Sequence, residues 1–340
     1  MSNISVIGMD LSKQVFHVIG LDERSKVVIK KMLKRSQLIT WFSNQQPCQV
    51  SMEACASSHY WGRVLSNLGF KVSLLPAQHV KAFVQGNKND YNDALAIAEA
   101  TNRPGIHSVP LKTVKQQDQQ AIQRMRKQAV HNRTALCNQT HGLVGEYGLV
   151  LPKGVNALRK AIPVVLEDAE NGLTDLFRQL LRERFDQLIE LDAHINYYTD
   201  LLVSQAEHCE EIKRLQSIPG FGPIVASAYY SYVGNGEVFS NGRGVSASLG
   251  LVPRQHSTGG KNVLLGISKR GDKELRSLLV HGARAFARVA NKRSDRLSRW
   301  VCQLIEKRGM NKATVALANK LARVAWAVTT RKEAYIAYEH

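Results

Sequence analysis

The stretch ISVIGMDLSKQVFHVIGLDERSKVVIKKM, residues 4–32, sets the architecture of the first part of the chain. It holds three short runs rich in β-branched residues, ISVIGMD (4–10), VFHVIGL (15–21) and KVVIKKM (26–32), with polar clusters between them. Runs of this length and composition, bounded by turn residues, predict β-strands. We therefore expect a three-strand meander at the start of the chain.

Strand and helix signals alternate in the residues that follow. A helix is expected around 37–44, strands at CQVSME (48–53) and KVSLLP (71–76), and a helix from about Ser58 to Leu68 that closes with Gly69. A last helix begins near Asp90 and runs through DALAIAEA. The order β β β α β α β α predicts an α/β domain over residues 1–110.

The composition of residues 111–209 is typical of long, polar helices. Leu181, Leu188, Ile195 and Leu202 recur every seven residues, the spacing of a coiled-coil seam. We expect a helical or coiled-coil arm here. The seam would either contact a second copy of the chain or pack back on its own chain, and the sequence leaves both alternatives open.

The last part, residues 210–340, is predicted to be mainly α-helical. It begins near Glu210 and carries SIPGFGPIVASAYYSYV (217–233), and a stretch rich in Gly and Ser then extends to Gly271. Helices are expected over 273–281 and near 311–329. This division predicts three domains in the chain.

Charge points to a polyanionic partner. The chain carries a net charge of +18, and residues 251–340 hold 19 lysines and arginines against 6 acidic residues, which gives +13 of that total. Charge gathered in one region is typical of nucleic-acid binding, whereas a surface built for solubility alone would not concentrate it. The charge therefore predicts a polyanionic partner, and residues 251–340 are expected to carry the surface that binds it.

Membrane insertion and secretion are not predicted. No apolar run reaches the roughly 18 residues that a bilayer span needs, and the N-terminus lacks the order of a signal peptide. We expect a cytoplasmic protein. The five cysteines show no zinc or disulfide spacing, because none lies within three residues of another, and they are expected to be buried free thiols.

Four acidic residues are candidates for a metal site. Asp10 and Glu53 end predicted strands, and Asp90 and Asp93 stand at i and i+3 in NKNDYND, on one face of a helical turn. Taken singly, each has an ordinary structural explanation, as a turn cap, a surface residue or a helix start. As a set they can converge on one point, where hard oxygen ligands would select Mg²⁺ or Mn²⁺. Two such ions can stabilise the attacking and leaving oxygens of a phosphodiester.

A glycine-containing turn is a candidate phosphate contact. Ile218–Gly222 fits the hairpin of a helix-hairpin-helix, in which Gly220 and Gly222 would let backbone N–H groups approach a DNA phosphate. Such contacts position a duplex without reading its sequence. The alternative is a plain turn between two helices.

A second candidate lies in GLVPRQHSTGGKNVLLGISKRGDKELR, residues 250–276. Ser257 and Thr258 are expected on a loop loosened by glycines, and a hydroxyl among cations suits attack on a phosphate. The alternative is a flexible connection or a simple phosphate cradle. The surrounding cations that we expect to bind nucleic acid are Arg254, Lys261, Lys269 and Arg270.

Several segments together resemble one known family. MEACASSHYW (52–61), KNDYNDA (88–94), SIPGFG (217–222), GLVPRQHSTGGK (250–261) and GISKRGD (266–272) are similar to hallmark segments of the DEDD insertion-sequence recombinases of the IS110 family, in particular its IS1111 branch. The Piv DNA invertase is a relative of that family. The resemblance runs nearly end to end.

The resemblance implies a fold and a reaction. It implies a RuvC-like RNase H fold with the acidic tetrad on Asp10, Glu53, Asp90 and Asp93, then a helical arm and a second, helical transposase domain. That second domain would supply a serine that forms a covalent phosphoserine link with DNA, while the tetrad of another subunit binds the metal. Counting back from Ser268 selects Ser257 as this serine, and counting forward from Pro253 with one added residue selects Thr258.

The resemblance also implies partners. A noncoding guide RNA from the element's own end would pair with target and donor DNA, and the protein would act as a homodimer or homotetramer on the element ends and the target. Two other functions stay open. One is a hydrolytic RuvC-like nuclease or Holliday-junction resolvase that uses the tetrad to activate water, and the other is a noncatalytic DNA-binding scaffold.

Overall fold

The computed structural model describes residues 3–87 and 89–338, so that Lys88, the first residue of the KNDYNDA segment, lies outside the described residues. The chain divides into two compact units. Unit 1 comprises residues 1–116 and 232–245, and unit 2 comprises residues 117–231 and 246–340. The three-domain division at 110 and 209 stays a prediction.

Unit 1 follows the predicted order of elements, with one short helix between the fifth strand and the last helix that was not predicted. Its strands are β1 (Val6–Asp10), β2 (Val15–Leu21), β3 (Val27–Lys34), β4 (Gln49–Glu53) and β5 (Lys71–Leu75). Its helices are α1 (Leu38–Ser43), α2 (Ser58–Asn67), the short α3 (Ala77–Val80) and α4 (Asp90–Thr101). The predicted closure of α2 is confirmed, because Gly69 adopts the left-handed conformation at φ +90°.

The five strands form one sheet in the order β3-β2-β1-β4-β5. The pairs β1–β2 and β2–β3 are antiparallel, which confirms the predicted meander. The pairs β1–β4 and β4–β5 are parallel. Parallel neighbours end at the same edge, so the carboxyl ends of β1 and β4 lie side by side.

Helices cover both faces of the sheet. Alternate residues of β1 point to opposite faces, so Ile7 and Met9 pack with α1 and α2 while Val6 packs with α4. Gly8 also lies on the α4 face, where a Cβ would stand 2.2 Å from the carbonyl oxygen of Ala94. Only glycine permits this approach, which brings α4 down onto the central strand.

Unit 2 is helical apart from one hairpin. The first helices of this part of the chain are α5 (Val114–Gly145), α6 (Val155–Glu167), α7 (Asp175–Glu207), α8 (Glu210–Gln216), α9 (Pro223–Val233) and α10 (Gly242–Ser248). The hairpin strands β6 (Pro253–Thr258) and β7 (Lys261–Ile267) follow, and then α11 (Lys273–Val289), α12 (Arg296–Arg308) and α13 (Met310–Arg331).

The heptad residues of α7 are used within the chain. Leu181 and Leu188 are buried in one cluster with Leu136 of α5 and Leu158 of α6. Asp192 of α7 accepts hydrogen bonds from Arg133 at 2.6 Å and Arg159 at 3.1 Å. The packing therefore favours the second of the two alternatives for this seam, contact with its own chain, and an intermolecular coiled coil through the same residues is not supported.

One expectation about local structure is corrected, and two further helices were not predicted. The stretch expected to be a loop around Ser257 and Thr258 is a β-hairpin, whose turn is Gly259–Gly260 with φ values of +55° and +79°. The strands β6 and β7 are exposed along nearly their whole length and lack the alternation of apolar and polar residues that marks a half-buried strand. The helices α10 and α12 were not expected from the sequence.

The cysteines correct a second expectation. All five are free thiols, as predicted, but only Cys137 is buried, and Cys55 is exposed. A separate point concerns membranes: among the described residues, no helix has the length and apolar character required to cross a bilayer.

Candidate active site

Two of the predicted acidic residues meet at one sheet edge. Asp10 is the last residue of β1 and Glu53 the last of β4. In the parallel register Met9 pairs with Met52, so the next residue of each strand is the carboxylate. Neighbouring strands lie about 4.8 Å apart, which places these two residues on adjacent strand ends.

The other two acidic residues lie in the first turn of α4. The side chain of Asn89 caps this helix by accepting a hydrogen bond from the Tyr91 N–H at 2.9 Å. Asp90 and Asp93 are the acidic residues of the first turn, where the positive end of the helix dipole stabilises carboxylates. The close approach at Gly8 brings this turn over the end of β1.

The charges of the other three carboxylates all act on Asp10. Burial and, after it, the charges of Asp90, Asp93 and Glu53 together raise the pKa of Asp10 to about 6. The charge of His17 opposes the shift. Carboxylates that raise each other's pKa make a site that gains from a bound cation.

His17 is a residue of this site that the sequence reading missed. It pairs with Asp10 in the antiparallel register of β1 and β2, and its Nδ1 lies 3.5 Å from a carboxylate oxygen of Asp90. Its ring also meets the Tyr91 ring edge-on, with centroids 4.7 Å apart. The sequence did carry a signal for His17. This residue lies on the strand that follows Asp10 after a short turn, and such a strand must return beside β1.

The donor set fits a divalent metal ion. Ligand atoms of Asp10, His17 and Asp90 lie within 4.8 Å of one another. Four carboxylates give an oxygen-rich site of the kind that Mg²⁺ and Mn²⁺ prefer, whereas an imidazole suits softer ions better. His17 is therefore better placed as the ion-pair partner of Asp90 than as a magnesium ligand.

Ser257 lies near the end of β6, on the exposed hairpin of unit 2. Its hydroxyl donates a hydrogen bond to Oδ1 of Asn262 at 3.0 Å and accepts one from Nε2 of Gln255 at 2.8 Å. An amide oxygen cannot take up a proton, so these contacts orient the hydroxyl without activating it. Thr258 follows on the strand and its side chain points to the other face.

The predicted cations surround this hairpin. All four are exposed; Arg254 is on β6, Lys261 begins β7, and Lys269 and Arg270 lie in the turn before α11. No ion pair to any of the four is found among the described residues. They form a positively charged surface around Ser257.

The glycine turn lies between α8 and α9, as expected for a helix-hairpin-helix. Gly220 has φ +82°, and a Cβ there would stand 2.6 Å from the carbonyl oxygen of Gly282 in α11. Packing within the chain therefore requires a glycine at position 220. Gly222 is exposed, and a Cβ there would meet nothing within 4 Å, so it is the glycine open to a ligand.

Family models match both parts of the chain. Residues 7–148 match a model described as a transposase, the DEDD transposase domain of the IS110 group. Residues 212–298 match the model described as "Transposase IS116/IS110/IS902 family". The first match contains Asp10, Glu53, Asp90 and Asp93, and the second contains Ser257.

Known proteins are similar over nearly the full length. The transposase for insertion sequence element IS1111A of Coxiella burnetii is 44% identical, covering 98% of this chain and 92% of its own length. A probable family 20 transposase of Pseudomonas aeruginosa is 45% identical, covering 98% and 99%. The transposase for insertion sequence element IS1328 of Yersinia enterocolitica is 40% identical, covering 97% and 98%.

Proposed function

The chain belongs to the IS116/IS110/IS902 family of insertion-sequence transposases, and on this basis we propose that it cuts and joins DNA strands by phosphoryl transfer, with Ser257 as nucleophile. Asp10, Glu53, Asp90 and Asp93 hold the divalent metal, Mg²⁺ or Mn²⁺. The N-terminal part has the RuvC-like form of the RNase H fold. The sheet order and its carboxylate edge support this assignment.

The observation that carries the proposal is the convergence of the four carboxylates. They come from three separate segments, yet each of the other three changes the pKa of Asp10. Like charges gathered this closely repel one another in the protein without metal, and a bound cation removes that repulsion. When bound, a divalent metal supplies stabilisation of charge on the phosphate oxygens and lowers the pKa of a coordinated hydroxyl.

The covalent step is a transesterification. The Ser257 hydroxyl loses its proton, and its oxygen attacks phosphorus, so that a phosphoserine bond forms while the bond from phosphorus to a deoxyribose oxygen breaks. The departing oxygen takes up a proton and leaves as a hydroxyl. A hydroxyl on the partner strand then attacks the phosphoserine and restores the serine. The number of phosphoester bonds is unchanged, so no nucleotide cofactor is required.

Activation of Ser257 must come from outside its hairpin. Asn262 and Gln255 hold its hydroxyl but are not bases, and among the described residues no carboxylate is hydrogen-bonded to it. This supports a composite site in which the acidic tetrad of another subunit completes the chemistry. The cations Arg254, Lys261, Lys269 and Arg270 would bind the phosphates beside the attacked position.

The partners in this proposal are nucleic acids and further copies of the chain. Double-stranded DNA of the element ends and the target binds the basic region and the α8–α9 turn, which acts as a helix-hairpin-helix. A noncoding guide RNA pairs with both DNAs. The excess of positive charge over residues 251–340 supports a polyanion of this size. A homodimer or homotetramer would bring a tetrad and a serine from different chains together.

The test is capture of the covalent intermediate. Purified protein with Mg²⁺, its copurified RNA and labelled element-end DNA is denatured, and a protein–DNA band is sought. Ser257→Ala should remove the band, whereas Thr258→Ala, a matched removal of the neighbouring hydroxyl, should keep it. Asp10→Asn should abolish strand cleavage and leave the folded state intact.

The alternatives give different outcomes. The opposite result for the two hydroxyl variants would move the nucleophile to Thr258. Strand cleavage that survives Ser257→Ala without any adduct would favour a hydrolytic nuclease. Full activity of Asp10→Asn would remove the tetrad from the mechanism, as a noncatalytic scaffold requires.

A further inference from the structure

A groove of about 1240 Å³ lies in unit 2 between β7 and the helices α12 and α13. Leu264 and Leu265 of β7 form one wall, and Val315 and Val324 of α13 form part of the other. Leu264 and Leu265 are 67% and 46% exposed, which is unusual for adjacent leucines unless a partner covers them. The walls therefore provide an apolar surface that no residue in the described part of the chain fills.

The charges in this groove are all positive. Lys312, Lys320 and Arg323 line it, and no acidic residue does. No ion pair to these three residues is found in the described part of the chain. Burial lowers the pKa of Lys320, and the charges of Arg296 and Arg323 lower it further. Cations gathered without a carboxylate are stabilised by an anionic ligand.

The dimensions suit a ligand with repeated anionic groups. Lys312 and Arg323 are eleven residues apart on α13, which is about 16 Å along the helix axis. Pockets for drug-sized ligands measure roughly 300 to 1,000 Å³, so this groove exceeds what a single small molecule fills. The ammonium of Lys320 lies 4.4 Å from the centre of the Trp300 ring, which fixes one cation in the groove wall.

One residue that lines the groove, Leu264, lies near Ser257 on the hairpin. In the hairpin register Ser257 pairs with Asn262 and Gln255 pairs with Leu264. Paired residues of an antiparallel ladder point to the same face, and so do residues two apart on one strand. Ser257 and the groove residue Leu264 thus share one face of the hairpin, separated by about 7 Å along the strand.

We propose that this groove holds unpaired nucleotides of the polynucleotide strand whose phosphate Ser257 attacks. The bases pack against the apolar walls, and the phosphates face Lys312, Lys320 and Arg323. A duplex is too wide to enter with its bases against these walls. The inference rests on the proposed function for the role of Ser257, but the binding itself does not require catalysis. An acidic amphipathic peptide is the competing occupant, and the nearness of the groove residue Leu264 to Ser257 favours nucleic acid.

The test measures binding to the full-length protein after nuclease treatment. The probes are fluorescein-labelled oligothymidylate and oligouridylate of about six nucleotides, an abasic strand of the same length, and a short duplex. Lys320→Gln with Arg323→Gln should weaken binding of both single strands about tenfold and of the duplex less than about twofold. Arg331→Gln with Lys332→Gln is the matched control, since it removes the same number of charges from exposed positions at the end of α13, outside the groove.

Each outcome bears on the proposal. Weaker binding of the abasic strand than of oligothymidylate supports bases in the apolar groove, and equal binding overturns it. Wild-type binding of single strands by the double variant also overturns it, as does displacement of the strand by an acidic amphipathic peptide at lower concentration than by oligothymidylate. Equal loss for strand and duplex would make the groove a general electrostatic surface and reject the proposal.

A separate variant distinguishes the two proposals. Ser257→Ala should bind oligothymidylate as the wild type does, because the serine does not line the groove. Loss of the covalent adduct with intact groove binding leaves both proposals standing. Intact groove binding in a protein that never forms an adduct would reject the serine mechanism alone.

Discussion

At the scale of single residues, Asp10 links metal binding to pH. Its pKa is raised from 3.8 to about 6 by burial and by the carboxylates of Asp90, Asp93 and Glu53. Without metal, the fold favours the protonated form, so this group's contribution to stability falls as pH rises from about 4 to about 6. A metal ion must displace that proton.

The first prediction is that metal affinity follows the titration of Asp10. Mn²⁺ affinity should rise about tenfold per pH unit below about 6, where one proton is displaced per ion, and level off above it. Calorimetry on protein freed of nucleic acid, between pH 5 and 8, measures this. Asp200→Asn, which replaces an exposed carboxylate on α7 by an amide, should leave the dependence of Mn²⁺ affinity on pH unchanged. An affinity that is flat from pH 5 to 7 would contradict the assignment.

At the scale of elements, the contact of α4 with β1 builds the acidic site. A Cβ on Gly8 would stand 2.2 Å from the Ala94 carbonyl oxygen and 2.6 Å from the Ala98 nitrogen. Both are backbone atoms that cannot move aside without moving the helix. Since Asp90 and Asp93 begin that helix, any shift of the helix also moves these two carboxylates relative to Asp10 and Glu53.

The second prediction is therefore that Gly8→Ala separates the carboxylates. Overpacking of this kind costs about 1–3 kcal/mol, and the variant should also bind Mn²⁺ more weakly. Thermal unfolding and metal titration measure the two effects. Gly142→Ala on α5 is the control, because a Cβ there meets nothing within 4 Å and alanine favours a helix by about 0.5–1 kcal/mol. Unchanged stability and affinity in Gly8→Ala would show that α4 adjusts freely.

The third prediction concerns the turn between α8 and α9. Gly222→Val should weaken binding of all duplexes by about tenfold or more, whatever their sequence, because loss of a hydrogen bond to a charged phosphate costs about 1.5–3 kcal/mol. Its melting temperature should match the wild type, since the position is open. Gly220→Val should instead lose stability through Gly282. A change in target choice alone would assign base reading to this turn.

At the scale of the whole molecule, charge governs what the protein binds. The net charge of +18 is concentrated in the last 90 residues, which carry the hairpin, the groove and the helices α11 to α13. The α7 seam is buried against its own chain, so subunit contacts must use other surfaces. Apolar residues that are exposed in the segment from α5 to α7 include Val150, Val164 and Leu176.

The fourth prediction is a ribonucleoprotein oligomer with strong salt dependence. Binding of the single-stranded guide should weaken with a log-log slope near −0.7 for each phosphate contact, because each contact releases condensed counterions. Light scattering before and after RNase treatment, with and without target DNA, gives the mass. A protein that stays monomeric and recombines its target after all RNA is removed would contradict both parts.

The elements of unit 1 were predictable because their signals are local. Short β-branched runs, a glycine after α2 and the start of α4 at Asp90 are written in neighbouring residues, and all were found in the structure. The four acidic residues were also identifiable, since each stands at the end of a predicted strand or the start of a predicted helix. The nearness of Asp10 and Glu53 follows from the rule that parallel strands end at one edge, whereas the sequence alone did not fix where α4 places Asp90 and Asp93.

Other features depend on contacts between residues distant in the chain, and these only the tertiary structure decided. The place of His17 beside Asp90 follows from the register of β1 with β2, and the role of Gly8 follows from how closely α4 packs. Whether the α7 seam meets its own chain depends on α5 and α6, which periodicity cannot identify. The hairpin of Ser257 is held by pairing across Gly259–Gly260, without the burial that marks most strands. A sequence pattern reports how each segment would fold against an apolar surface, and the choice of surface is made by long-range packing.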